Sequence, residues 1–219
     1  MHLFVVQRIL GVLLMVFSLT MLPPMLISLW YDDGALIGFT DGFILTLGLG
    51  LGIWAPVRRR QQELRVRDGF LVVVMFWTVL GLTGALPFLL AENANLSITD
   101  SIFESISGLT TTGATIIVGI DQLPISILYY RQQLQWLGGM GIIVLAVAVL
   151  PMLGIGGMQL YRAETPGPIK DSKLTPRITE TAKALWFIYL TLTVSCGLAY
   201  WAAGMKPFDA LGHAFATVA

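Results

Sequence analysis

The stretch Ser97 to Thr115, SITDSIFESISGLTTTGAT, decides the fold of this chain because it places a short helix pattern between two long apolar runs. Ser97 and Asp100 have the spacing of a capping box, which predicts that a helix begins here. Apolar residues then recur at spacings of four and three through Leu109, which predicts one helical face. A helix over residues 97–109 is about 20 Å long, too short to cross a hydrocarbon core of about 30 Å.

The six residues after this helix pattern, Thr110 to Thr115, are rich in β-branched side chains around Gly113. Irregular backbone at membrane depth is tolerated where it lines a water-filled cavity or is buried in protein. The pattern therefore predicts a pore loop: the helix C-terminus favours a cation, and the carbonyls that follow replace the hydration shell of the ion. Gly113 is predicted to take backbone angles that a side chain disfavours. The alternative is a re-entrant loop that only fills a helical bundle.

Composition identifies a polytopic membrane protein, since 56% of the 219 residues are hydrophobic and 12% are charged. The single cysteine, Cys196, excludes an intrachain disulfide and a cysteine-based zinc site. The formal net charge is zero, so we expect no nucleic acid as a partner. The apolar composition makes membrane lipid an expected partner. The predicted fold class is an all-α membrane protein.

Five apolar runs have the length of a membrane-spanning helix. They cover residues 3–29 (with a bend at Pro23-Pro24), 35–57, 69–91, 126–152 and 181–204. Half-length segments follow the third and fifth runs, at 97–109 and from Pro207 onward.

These segments predict four parts of the chain. Two N-terminal spans and a basic loop occupy residues 1–67, and a cytoplasmic loop occupies residues 154–180. A first pore repeat occupies residues 68–153, with span 69–91, pore helix 97–109, filter segment 111–115 and span 126–152. A second repeat starts in residues 181–219, with span 181–204 and a pore helix from 207.

The orientation of the spans is predicted from Lys and Arg, which concentrate in cytoplasmic loops. Ten of the thirteen basic residues lie in two loops. They are Arg58, Arg59, Arg60, Arg65, Arg67, Arg162, Lys170, Lys173, Arg177 and Lys183. The N-terminus is then cytoplasmic, and both half-helices enter from the outside. Acidic residues prevail on the outer side, either to concentrate cations there or because they avoid the inner side less than basic residues avoid the outer.

An internal repeat supports the pore-loop interpretation. With a shift of 109 residues, DSIFESISGLT (100–110) overlies DALGHAFATVA (209–219) without a gap. Upstream, Trp77 falls on Trp186, so the third span overlies the fifth. The second copy stops at Ala219, which indicates the front part of a longer protein.

Other candidate sites are weaker. The glycine runs at 138–141 and 154–157 lack the Lys-Ser/Thr of a nucleotide loop, and close helix packing explains them better. Gly48, Gly50 and Gly52 are likewise expected to serve packing. A hydrolytic triad of Ser105, His213 and Asp209 is disfavoured, because the repeat makes His213 and Asp209 equivalents of Glu104 and Asp100. We therefore predict no enzymatic activity.

Three charged residues within or near the apolar segments need partners or a function. Asp41 and Arg131 are expected to have structural roles, with Arg131 either paired to a carboxylate or extended toward the interface. For Glu104 a functional role and a role as a buried hydrogen-bond anchor behind the turn remain open.

Four stretches resemble one transporter family. They are SIFESISGLTTTGAT (101–115), RQQLQWLGGMGIIVLAVAVLP (131–151), LYRAETPGPIKDSKLTPRITETAK (160–183) and FDALGHAFATVA (208–219). Together they resemble the Trk/Ktr/HKT superfamily of potassium transporters, most closely its bacterial potassium-uptake subunits. The resemblance implies four span–pore-helix–span repeats around one potassium path, and a short filter segment in each repeat.

The resemblance also implies the roles of particular residues. Thr111, Thr112, Gly113 and Ala114 match the first filter segment, with potassium held by backbone carbonyls at Thr111 and Thr112. Support of the pore helices and the vestibule is assigned to four other residues: Asp100, Glu104, Asp209 and His213.

Potassium uptake across the bacterial inner membrane is the expected function, with a homodimer and a TrkA-like cytosolic regulatory subunit that binds NAD and ATP. The loop Tyr161–Lys183 is its candidate docking surface. Two further repeats that the family has, and the gating loop that belongs to the third repeat, are absent from these residues. An ion-coupled secondary transporter of another class and a non-transporting assembly subunit are the alternatives.

Overall fold

The computed structural model describes the backbone of residues 3–59, 66–149 and 174–219. These residues form helices and contain no β-strand, which confirms the predicted all-α membrane fold. The glycine run 154–157, the end of the fourth predicted span at 150–152, and most of the loops 58–67 and 154–180 lie outside the described residues. The candidate docking loop is described only from Leu174 onward.

The described helices are long spans, short continuations of spans, and two twelve-residue helices. They are α1 (Leu3–Leu19), α2 (Leu22–Tyr31), α3 (Leu36–Trp54), α4 (Val66–Gly84), α5 (Leu86–Leu90), α6 (Ile98–Leu109), α7 (Ile125–Val149), α8 (Leu174–Ala202) and α9 (Pro207–Val218). Short 3₁₀ turns occupy Ala55–Val57, Glu92–Ala94 and Ile120–Gln122.

Four described segments are long and apolar enough to cross a membrane: Leu3–Tyr31, Leu36–Val57, Asp68–Leu90 and Glu180–Ala202. Their ends fall within two residues of the first, second, third and fifth predicted spans. Helix α7, at the place of the fourth, has 25 residues and is therefore about 38 Å long. By contrast α6 and α9 have 12 residues each, about 18 Å, and each residue of α9 lies 109 positions after its counterpart in α6.

The first span is broken where the sequence predicts a bend. Helix α1 ends at Leu19, and α2 begins at Leu22 with proline in its first turn. Because Pro24 has no N–H, the carbonyl of Thr20 loses its helical donor. The Gln133 side chain of α7 donates to this carbonyl at 2.7 Å, so a distant amide replaces the missing bond.

The third span has a similar break at Ala85, between α4 and α5, two residues before Pro87. Here the carbonyl of Gly84 accepts a hydrogen bond of 3.1 Å from the hydroxyl of Tyr130, another residue of α7. Tyr130 is fully buried, with Phe39 and Phe88 packed around its ring. The hydroxyl thus satisfies a carbonyl that hydrocarbon would leave unpaired.

The N-terminus of α7 is held by Asp33, in the loop between α2 and α3. One carboxylate oxygen of Asp33 accepts from the backbone N–H of Ser126 at 2.8 Å, and the other accepts from Ser28 and Ala35. Burial raises the pKa of Asp33, but the hydrogen bonds from Ser28, Ser126 and Ala35 outweigh it and lower the pKa below 3.8. A carboxylate at a helix N-terminus is also favoured by the helix dipole.

The described residues divide into two compact units, Met1–Trp136 and Leu137–Ala219. The core of the first unit is apolar and gathers residues of α1, α3, α4, α5, α6 and α7. Its fully buried members include Leu14, Met21, Phe39, Phe88, Ile127, Tyr130 and Leu134. Helix α6 is fastened to this core through Leu109.

Glycines bring helices close in both units, but not at every predicted position. A Cβ at Gly11 would lie 2.9 Å from the Gly50 carbonyl, so α1 and α3 meet at these residues. A Cβ at Gly139, in the second unit, would lie 2.7 Å from the Tyr189 hydroxyl. Gly48 and Gly52 have no other described atom within 4 Å of such a Cβ, so the packing role expected for them is wrong in this part of the chain.

Candidate functional site

The site begins at the N-terminus of α6, where the predicted capping box is present. The Ser97 hydroxyl accepts from the backbone N–H of Asp100 at 3.2 Å, and the Asp100 carboxylate accepts from the N–H of Ser97 at 3.4 Å. These two bonds satisfy donors that a helix leaves open at its start. Asp100 therefore supports α6 by holding its first turn.

The C-terminus of α6 ends in a Schellman motif. The N–H of Thr111 donates to the Gly108 carbonyl at 2.9 Å, and the N–H of Thr112 donates to the Ser107 carbonyl at 3.0 Å. Thr111 occupies the left-handed position of this motif with φ of 55°, where glycine is usual. A β-branched residue in this region is strained by about 1–3 kcal/mol.

The turn continues through Gly113, whose φ of 69° also lies in the left-handed region. Its N–H donates to the Ser107 carbonyl at 3.3 Å, so this carbonyl accepts two hydrogen bonds. A Cβ at Gly113 would meet Gln135 Nε2 at an ordinary 3.6 Å, so conformation rather than space favours glycine here. Thr112 between them has no positive φ, and the sign of φ therefore alternates along the three residues.

The three residues Thr111, Thr112 and Gly113 differ in what their two backbone groups do. Every N–H is engaged with a carbonyl of α6. No described residue donates a hydrogen bond to any of the three carbonyls. The backbone N–H groups of the segment are therefore all hydrogen-bonded, and its three carbonyl oxygens remain as acceptors. Carbonyl oxygens are the groups that bind a cation.

Ala114 differs from the three residues before it. Its carbonyl accepts a hydrogen bond of 2.6 Å from the hydroxyl of Ser107. One lone pair of this carbonyl is therefore directed at α6.

Glu104 is the buried anchor behind the turn. Its side chain is 2% exposed, and one carboxylate oxygen accepts from the Thr115 hydroxyl at 2.6 Å and from the N–H of Ile116 at 2.9 Å. The other oxygen accepts from Nε and Nη2 of Arg131 at 2.9 and 2.8 Å. Of the two roles left open for Glu104, the structure supports the anchor, and Arg131 pairs with a carboxylate.

Five consecutive residues, Thr112 to Ile116, are hydrogen-bonded to either Ser107 or Glu104. These two residues lie three positions apart and therefore on one face of α6. The segment is held against that face along its whole length, and Arg131 of α7 supports the face from behind.

Three further residues singled out in the sequence are exposed. Asp209 and His213 are exposed residues of α9, in the second unit, and Asp41 is an exposed residue of α3. The His213 ring lies 6.1 Å from that of Tyr200, and the Tyr200 hydroxyl and the His213 carbonyl both contact Thr217. Among the described residues no group of three His, Cys, Asp or Glu side chains could hold a metal ion.

Sequence analysis placed Ser107 in the pore helix and Thr115 at the end of the filter segment, but it missed their hydrogen bonds to Ala114 and Glu104. Both are common polar residues, and no local pattern indicates these contacts. The internal repeat could have indicated that Glu104 and Ser107 are special to the first copy. The equivalent positions of the second copy are His213 and Ala216, which cannot make the same contacts.

Comparison with known proteins identifies the family. Residues 36–219 match the family model TrkH, described as cation transport protein. The chain belongs to the TrkH family of cation transport proteins. This confirms the resemblance to potassium transporters of the Trk type.

Several members of the TrkH family are close relatives. The Trk system potassium uptake protein TrkH of Vibrio parahaemolyticus is 65% identical over 97% of this chain and 44% of its own length. TrkH of Halomonas elongata is 66% identical over 100% of this chain and 45% of its own, and TrkG of Escherichia coli 46% identical over 99% and 45%. The chain spans less than half the length of these relatives.

A solved structure shares this fold. The crystal structure of the potassium transporter TrkH from Vibrio parahaemolyticus superposes with a TM-score of 0.85 at 58% identity. The match covers 98% of this chain and 42% of that one.

Proposed function

We propose that this protein takes up potassium across a membrane, and that the carbonyls of Thr111, Thr112 and Gly113 form part of its selectivity filter. The proposal rests on the hydrogen-bond pattern of this segment: its N–H groups donate to carbonyls of α6, and its own carbonyls have no described donor. Carbonyl oxygens of this kind replace the hydration shell of potassium in ion filters. Potassium is the transported substrate. We expect no covalent cofactor in this chain, and nucleotide only on the regulatory subunit.

Helix polarity favours the same ion. The C-terminus of α6 carries partial negative charge and is followed at once by the row of free carbonyls. The positive φ of Thr111 and Gly113 excludes regular extended backbone, in which successive carbonyls point to opposite sides. We propose that the oxygens of the three residues converge on one path.

A filter must also resist rearrangement when the ion changes. Glu104 accepts four hydrogen bonds, two from Arg131 and two from the residues that follow the filter segment. Because the carboxylate is almost fully buried, these charge-assisted bonds are strong. Glu104 and Arg131 thus act as a rigid support for the carbonyls rather than as ligands.

The wider assembly is proposed from the family. Names of the relatives place them in a Trk system for potassium uptake. We propose an inner-membrane protein with a cytoplasmic N-terminus, a homodimer, and a TrkA-like NAD- and ATP-binding regulatory subunit that docks on the loop 161–183. By the family resemblance a complete filter needs four segments, of which residues 111–114 supply one.

The test compares two glycine substitutions in the protein expressed from its native reading frame and reconstituted in liposomes. Gly113 and Gly119 both have positive φ, 69° and 75°, so serine strains both backbones similarly. Gly113→Ser should lower the potassium-over-sodium flux ratio, whereas Gly119→Ser should leave it unchanged. Equal ratios in the two variants would place the filter elsewhere.

The same liposomes separate the alternatives. Passive potassium flux supports a filter, whereas strict dependence on a sodium or proton gradient would indicate a secondary transporter. Absence of any potassium flux, with correct insertion, would indicate an assembly subunit.

A further inference from the structure

Ser107 makes an unusual contact for a hydroxyl residue of a membrane helix. Hydroxyls in this chain commonly bond to the carbonyl four residues earlier in their own helix, as at Thr40, Thr83 and Thr110. The Ser107 hydroxyl instead donates forward, to the Ala114 carbonyl seven residues later, at 2.6 Å. Ser107 is 6% exposed, so water competes little for this bond.

We propose that the Ser107 hydroxyl is a positioning group that sets ion selectivity by fixing the Ala114 carbonyl at the end of the filter segment. This inference rests on the proposed function. The hydroxyl touches no ion and acts only through the carbonyl that it holds.

The physical reason lies in the difference between potassium and sodium. Sodium is smaller, so it gains more when a carbonyl can move toward it. A carbonyl held by a buried donor cannot follow a smaller ion without breaking a hydrogen bond. Thr111, Thr112 and Gly113 are restrained through their N–H groups, while Ala114 is restrained through its oxygen, so loss of the Ser107 donor releases Ala114 alone.

Removal of this hydroxyl should not disturb the helix itself. The equivalent position of the second repeat is Ala216, and α9 has the same 12-residue length as α6. The carbonyl of Ser107, which accepts from Thr112 and Gly113, is retained in any substitution. Ser107→Ala therefore deletes one bond and leaves the Schellman turn in place.

A matched control is two residues away. Ser105 is fully buried on the same helix, and its hydroxyl has no hydrogen-bond partner in the described part of the chain. Ser105→Ala removes the same atom from another buried position of the same helix without the loss of a hydrogen bond. Ser107→Thr keeps a hydroxyl at the critical position and serves as the rescue variant.

The experiment measures potassium and sodium flux through the three variants and the wild type in liposomes, together with their melting temperatures. We expect Ser107→Ala to lower the potassium-over-sodium ratio about fivefold, the factor equivalent to one hydrogen bond of about 1 kcal/mol. Ser105→Ala should keep the wild-type ratio, and Ser107→Thr should recover most of it.

An unchanged ratio in Ser107→Ala, or an equal loss in Ser105→Ala, would overturn the inference while the proposed function stands. A lower ratio that merely follows a lower melting temperature across all variants would also overturn it. A wild-type protein that does not discriminate between the ions would overturn the proposed function, and this inference with it.

Discussion

Substitution of Glu104 tests the buried ion pair between Glu104 and Arg131, behind the proposed filter segment. Glu104→Gln replaces one acceptor oxygen by an NH₂ group, while all four neighbours of the carboxylate are donors. If the amide nitrogen faces Arg131, the guanidinium loses its charged partner. If it faces Thr115 and Ile116, two donors of the loop lose their acceptor. In either orientation the new amide N–H₂ faces other donors beside the buried Glu104 position, and those donors lose their acceptor.

The magnitude follows from burial. Removal of one partner of a buried pair costs about 3–5 kcal/mol. The side chains of Glu104 and Arg131 are 2% and 16% exposed, so water relieves the arginine in part and the carboxylate hardly at all. We therefore expect the free energy of unfolding to fall by about 3 kcal/mol in Glu104→Gln, the lower end of that range.

A double-mutant cycle isolates the pair. Arg131→Met keeps an unbranched side chain and removes the guanidinium and its charge, so the remaining carboxylate is unpaired. Because both single variants lose the same interaction, the double variant should be less destabilised than the sum of the two, by about 2 kcal/mol. The assay is unfolding by SDS in mixed micelles, followed by circular dichroism.

Asp100→Asn is the control, since it alters the exposed capping box of the same helix and should cost about 1 kcal/mol or less. If the effects of Glu104→Gln and Arg131→Met add within about 0.5 kcal/mol, the two side chains are not coupled, because independent sites add in this way.

Three further predictions concern the rest of the chain. Stability from Asp33 is complete above pH 3.8 and is lost as pH falls through its lowered pKa, so the melting temperature of the wild type should fall more steeply at acid pH than that of Asp33→Asn; parallel curves would contradict this. Thr112→Val removes only a hydroxyl contact with Thr110, so it should lower the potassium-over-sodium flux ratio less than Gly113→Ser does; a larger loss would mean that the Thr112 side chain is a ligand or an essential part of the turn. A cysteine at Arg60 should resist labelling from outside while one at Asp121 reacts, and the reverse pattern would invert the topology.

Much of this fold follows from local sequence patterns. Span lengths, the proline break of the first span and the capping box at Ser97 depend on residues a few positions apart, and all are present. The positive φ at Gly113 was also predictable, because glycine has no Cβ and adopts this conformation more readily than other residues.

The parts that sequence analysis missed depend on contacts between distant residues. Gln133 and Tyr130 supply hydrogen bonds to carbonyls 113 and 46 positions away, and no local pattern records which carbonyl a proline or a break leaves open. Thr111 takes the left-handed position of a Schellman motif against its own preference, because the surrounding turn determines its conformation. The contact of Ser107 with Ala114 exists only once that turn has formed.

We propose that the carbonyls of Thr111, Thr112 and Gly113 hold the transported ion. The most direct test is anomalous diffraction from crystals of the protein, expressed from its native reading frame and soaked in thallium or rubidium as potassium substitutes. We expect anomalous peaks within ligand distance of these three oxygens, and loss of the peaks in Gly113→Ser but not in Gly119→Ser. Ordered ions confined to carboxylates such as Glu104, with none at the three carbonyls, would contradict it.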